Sequence, residues 1–240
     1  MADRTPLENF KQVLTGTARA LAHEPEVEVA WSADNPAQAG KNFRVPLPGR
    51  NLPPDQATEA RGFADSFALK LRHHNEGLHT KGAPPEPIAR ACYDAIEQVR
   101  YEAIGSTRYA GIKSNLNSAV NLRTASDAIV RAEQASEVPL PTALSLMLRE
   151  AVTGEPVPER ARAGVDLVRE DILAKIGTDM DGLANVLDDQ RAFQDLTLDI
   201  LRDLDLTLPD SPEPTDADED GEDEEGESPE DQDSDDEDEG

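Results

Sequence analysis

Residues 210–240 hold 19 Asp or Glu and no Lys or Arg. No core can be built from that composition, because unneutralised carboxylates repel and almost no apolar surface remains to offset chain entropy. The segment therefore reads as a solvated, extended acidic linker over residues 209–240, and folding is confined to residues 1–208. The chain as a whole stands at −27, of which this segment supplies −19, leaving −8 for the rest. The body is thus a mildly acidic domain of a size that can enclose a real core.

An acidic body argues against nucleic acid or an anionic membrane as partner, since both require a basic face. One cysteine, Cys92, excludes an internal disulfide framework. The opening MADRTPLENF carries charges and a proline before any apolar stretch, unlike a signal peptide. No run approaches the roughly 20 apolar residues of a membrane helix. A cytoplasmic protein is expected.

Helical patterning dominates the body. Thr5-Pro6-Leu7-Glu8 is a capping box with proline at the first helical position, followed by Phe10, Val13, Leu14, Ala18 and Leu21 at helical spacing. Val27, Val29 and Trp31 alternate with polar or small residues and predict a strand. Phe43–Pro48 is its expected partner in a minor β-hairpin, confined to an edge by its prolines. Pro53-Pro54-Asp55 opens a second helix that stops near Asn75, Gly77 and Gly82. A third follows Pro87 with Ile88, Cys92, Ile96 and Val99 on one stripe, so Cys92 reads as a small buried hydrophobe. After Gly105 a weaker pattern runs to Ala132. Leu140–Ala151 and Ala161–Ile172 are sharper, the latter closed by Gly177. From Met180 to Leu204 apolar residues point several ways, as in a helix covered on two sides. The fold class expected is mostly α with a minor β-hairpin.

Four constellations carry possible chemistry. Asp216, Asp218, Asp220, Gly221 and Glu227 match the ligand positions of an EF-hand loop, but no amphipathic helix flanks them and the match follows from composition. Gly105–Ser114 imitates a phosphate loop, with one residue too many between its glycines, Ile112 before Lys113, and a helix where a strand must precede. No nucleotide site is expected in this chain. His73, His74 and His79 fall within seven residues. They read either as a metal site or as imidazoles complementing a helix C-terminus, and adjacent His73 and His74 point about 100° apart on a helix. Glu97, Arg100, Glu102 and Arg108 form either a solvated, charge-paired helix face or a surface that docks a partner. No catalytic, cofactor or metal residues are assigned.

Several of these stretches together resemble the CobT subunit of aerobic cobaltochelatase. They are Arg61–Ser66 with Leu71-Arg72-His73-His74, the long run Ala89–Gly105, Leu146–Glu150 and Asp188–Phe193, in that order. The opening Phe10-Lys11, Leu14-Thr15-Gly16 and Val27-Glu28-Val29-Ala30 fit as well. The resemblance implies a subunit of an ATP-dependent ligase that inserts Co²⁺ into hydrogenobyrinic acid a,c-diamide during cobalamin synthesis. It implies an AAA+ subunit and a large tetrapyrrole-binding subunit as partners in a hetero-oligomer, with ATP, Mg²⁺ and Co²⁺ used by the assembly and no cofactor held here. It also implies a C-terminal von Willebrand A-type domain after the acidic linker. No Asp-x-Ser-x-Ser sequence occurs, so the chain is expected to correspond to the N-terminal part, inactive alone and docking the AAA+ subunit. The competing expectation is an acidic-tailed adaptor or chaperone-like protein.

Overall fold

In the computed structural model, residues 4–207 are described; the acidic segment and its EF-hand-like match lie outside the described residues. Helix α1 (Pro6–Ala22) starts as its capping box dictates. Thr5 N–H donates to Glu8 Oε2 at 2.7 Å and Glu8 N–H to Thr5 Oγ1 at 3.3 Å. The helix ends at His23 in the left-handed region, φ 55°.

Strands β1 (Glu28–Ser32), β2 (Ala37–Ala39) and β3 (Asn42–Pro46) form one sheet in the order β1-β3-β2. This corrects the expected edge hairpin in two ways. β3 pairs with β1 in parallel, Val29 opposite Phe43. The antiparallel ribbon is instead made by β3 with β2, a strand too short and too poor in β-branched residues to announce itself. β3 can be central because Pro46 is its last residue, where a missing N–H costs the ladder least. Phe43 and Val45 alternate inward and are fully buried. Phe43 meets Phe67 edge-on, with ring centroids 5.7 Å apart.

Helix α2 (Pro54–His73) lies under this sheet and packs on α1. Asn75 does not merely end it. Its Oδ1 accepts Leu78 N–H at 3.0 Å and caps a short helix α3 (Glu76–Gly82). Helix α4 (Pro87–Arg108) runs through Gly105 without a break, and a Cβ at Gly105 would fall onto Leu69 Cδ1 of α2. That glycine serves close helix approach rather than termination. Helix α5 (Ala110–Ala125) follows directly, and 3₁₀ turns at Ala128–Arg131 and Ala135–Glu137 lead to α6 (Leu140–Thr153). Gly154, φ 70°, closes α6.

Helix α7 (Glu159–Leu183) likewise passes through Gly177. The expected helix over Met180–Leu204 is two pieces: α7 ends, and Asp189 caps α8 (Gln190–Asp203) by accepting the Arg191 and Ala192 amides. Apolar residues that faced different ways belong to two helix axes.

α4 is the hub, touching α2, α5, α6 and α8. One apolar cluster gathers Cys92, Ile96, Leu144, Leu148, Ile176, Leu183 and Phe193 from α4, α6, α7 and α8. Smaller clusters join α1, the sheet and α2. Cys92 is fully buried in the larger cluster, and burial pushes its thiol up to about 12, so it packs as a small hydrophobe.

Candidate functional site

The stretch richest in charge, Glu97–Arg108 on α4, turns inward. Glu97 and Glu102 are each 6 % exposed and Arg100 is 1 % exposed. The solvated-face reading is therefore corrected: at i, i+3 and i+5 these residues lie on flanks that α2, α5 and α8 cover. Of the four, Arg108 reaches the surface, paired with Asp188 at 2.5 Å.

Arg100 spends its whole guanidinium inside the protein. Nε and Nη2 donate to the two Glu97 carboxylate oxygens at 2.8 Å each. Nη1 donates to the Leu187 carbonyl at 2.9 Å, and Nη2 also reaches the His73 carbonyl. The group lies 5.9 Å from the Phe193 ring centroid. One side chain thus ties α4 to the end of α2 and to the loop before α8. Burial opposes the Glu97 charge, yet the bonds from Arg100 and His74 outweigh it and hold the carboxyl below its usual range.

The histidines join this network. His74 Nδ1 lies 2.7 Å from Glu97 Oε1 and its Nε2 3.1 Å from Glu76 Oε2. His79 Nε2 lies 2.7 Å from Asp94 Oδ1, and its ring stacks on Tyr93 at 4.4 Å. Both nitrogens of His74 are thus engaged by carboxylates. Among the described residues no group of three or more His, Cys, Asp or Glu is placed to hold a metal ion. Nor does His73 act as a charged helix cap. Burial first, then Arg72, Arg108 and Arg100, pull it down to about 4, so it is neutral at pH 7, and Arg100 serves the α2 carbonyl end in its place.

Glu102 anchors a second network. Ser66 Oγ donates to it at 2.6 Å, Gln98 at 2.9 Å, and Arg123 clamps both carboxylate oxygens at 2.9 Å. The phosphate-loop imitation is the end of α4 and the first turn of α5, and Lys113 Nζ is committed to Glu155 at 2.7 Å.

Sequence reasoning missed a groove of about 500 Å³ between α1 and α5 with α2 as its floor. Its walls are apolar, from Phe10, Val13 and Leu21 to Ile112, and Asp65 sits at its base. Asp65 is 2 % exposed and accepts from Asn115 Nδ2 at 2.8 Å. Burial raises its carboxyl to about 6, against the opposing effects of Asn115 and Arg61. The signal was present in Arg61–Ser66, where a carboxylate lies beside the small-residue stripe of Ala60, Ala64 and Ala68.

Charged side chains that cross-link helices, with an open groove beside them, define a helical scaffold with an unfilled surface. The family model described as Cobalamin biosynthesis protein CobT matches residues 4–240, and the chain belongs to that family. Membership gives it a role in cobalamin biosynthesis and points to a multi-protein complex as its setting. No solved structure matches the chain. Among the described residues no helix is long and apolar enough to cross a membrane.

Proposed function

We propose that this chain is a non-catalytic, docking part of an ATP-dependent cobaltochelatase, the ligase that inserts Co²⁺ into hydrogenobyrinic acid a,c-diamide. The observation that carries the reading is the family match running from residue 4 to residue 240. In this reading the AAA+ subunit binds and hydrolyses ATP with Mg²⁺, a large subunit holds the tetrapyrrole, and Co²⁺ is a substrate. The chain described here contributes surface. The internal ion pairs of Arg100 with Glu97 and of Arg123 with Glu102 support a scaffold role, because the buried Arg100, Glu97 and Glu102 serve the fold. The assembly is a cytoplasmic hetero-oligomer.

The test is capture of the purified AAA+ and tetrapyrrole-binding subunits by the immobilised chain, with ATP turnover measured in parallel. The expected result is retention of the AAA+ subunit and no turnover by the chain alone. Failure to retain either subunit overturns the reading and returns the chain to the adaptor class. Turnover by the isolated chain, abolished by Lys113→Ala, overturns the non-catalytic part.

A further inference from the structure

Helices α1 and α5 both pack on α2 but scarcely on each other, and this leaves the groove as a trough over α2. On α1 the trough is lined by Phe10, Val13, Leu14, Thr17 and Leu21, the i, i+3, i+4, i+7 and i+11 positions of one face, with Ala20 beside them. That face runs about 16 Å at 1.5 Å per residue, the length of a three-turn helix laid alongside. Val13 is 67 % exposed at the rim and Tyr109 stands exposed opposite it. An amphipathic helix with i, i+3, i+4, i+7 anchors is the ligand form that fills such a trough.

The floor adds a charge code. Arg61, Asp65 and Arg72 lie in line along α2 and all face the trough. Arg61 rests over the Phe10 ring at 5.3 Å and Arg72 Nη1 donates to the Leu21 carbonyl at 3.2 Å. Neither arginine makes an ion pair among the described residues, although the chain stands at −27. Asp65 is a buried carboxyl opening into the same space, and Asn115 is the donor it has. The trough is therefore cation, acceptor, cation at α2 spacings of four and seven residues.

We propose that the α1–α2–α5 trough docks an amphipathic helix of the AAA+ subunit, one whose apolar stripe carries a hydrogen-bond donor opposite Asp65 flanked by carboxylates opposite Arg61 and Arg72. This rests on the subunit reading above and names the surface it uses. The chain's own acidic segment is a poor occupant. Residues 210–240 contain Ala217 as their one residue from the hydrophobic class, and so supply no apolar stripe.

The experiment measures the affinity of the purified AAA+ subunit for the full chain and four variants. Val13→Glu, Ala20→Glu and Arg61→Glu change exposed trough residues, and circular dichroism checks that each remains helical. Ile88→Glu, at a residue 59 % exposed on α4 and away from the trough, is the control. The expected result is at least tenfold weaker binding for the three trough variants and a change within twofold for Ile88→Glu. Equal binding by all four overturns the trough and leaves the subunit reading standing. No binding by the unaltered chain overturns the subunit reading and the trough with it. A concentration-dependent dimer of the chain that Val13→Glu disperses assigns the trough to a second copy and also overturns the proposal.

Discussion

Arg100 shows why a charged residue can be the least replaceable member of a core. Its fork satisfies Glu97 twice and two backbone carbonyls on separate segments, a geometry a lysine ammonium cannot reproduce. Arg100→Ala leaves Glu97 buried with His74 as its remaining side-chain partner, and the expected loss is about 3 kcal/mol in urea unfolding. A loss near zero would mean that Glu97 relaxes to solvent. Asp65 carries the opposite sign. Its carboxyl is raised from 3.8 to about 6 in the folded chain, so between those values the folded state holds the proton that the unfolded state has released. Stability attributable to Asp65 therefore falls as pH rises from about 4 to about 6 and stays low above it, by roughly 3 kcal/mol at 1.36 kcal/mol per pH unit. Asp65→Asn removes that penalty. The variant is expected to be more stable than the parent at pH 7 and equal to it near pH 4, read from urea midpoints at the two values. Glu97, held low, works in the other direction: its contribution is present at neutral pH and is lost as pH falls through its folded pKa.

At the level of elements, the glycines separate two uses of the same residue. Gly16 lies within α1 with nothing near the position a Cβ would take. Gly16→Ala is expected to stabilise the chain by about 0.5–1 kcal/mol through backbone entropy and helix propensity. At Gly62 a Cβ would fall onto the Asn115 carbonyl oxygen and come within 2.9 Å of Ala119 Cβ. Gly62→Ala gains the same propensity but must push α2 and α5 apart, and a net loss of about 1–3 kcal/mol is expected. Thermal unfolding of the two variants side by side gives opposite signs if the α2–α5 approach is as described. The same close approach defines the trough, since α5 is held against α2 and away from α1.

For the whole molecule the charge distribution sets the terms of association. Residues 210–240 carry −19 and the remainder −8, a field that at physiological ionic strength reaches about 8 Å from each charge. Replacing the 19 carboxylates with Ser, Asn and Gln at constant length keeps reach and removes charge. If the docking reading proposed above holds, the association rate with the AAA+ subunit is then expected to fall, and its salt dependence to weaken toward that of a body at −8, while the dissociation rate stays the same. Stopped-flow mixing at two salt concentrations measures both, and an unchanged association rate reduces the segment to a spacer.

What could be read without coordinates was whatever local chemistry decides. Thr5 and Glu8 cap α1 because a hydroxyl and a carboxylate three residues apart reach each other's amides whatever lies around them. Prolines at the starts of α2, α4 and α6 likewise mark those starts, since a first-turn residue needs no N–H partner. The stripes through Cys92 and Ile96, or Leu144 and Leu148, declare a buried face by period alone. Tertiary structure decided what depends on residues far apart in the chain. Gly105 and Gly177 read as breaks, yet α4 and α7 continue through them; at Gly105 a neighbouring helix leaves no room for a Cβ. Phe43–Pro48 reads as an edge, yet β2 and β1 flank β3 on both sides. Glu97, Arg100 and Glu102 have the composition of a wet surface. They are buried because α2 and its C-terminal end, α5 and the loop before α8 bring Ser66, His74, Arg123 and the Leu187 carbonyl to meet them, and a charge is tolerated inside only where such partners arrive together.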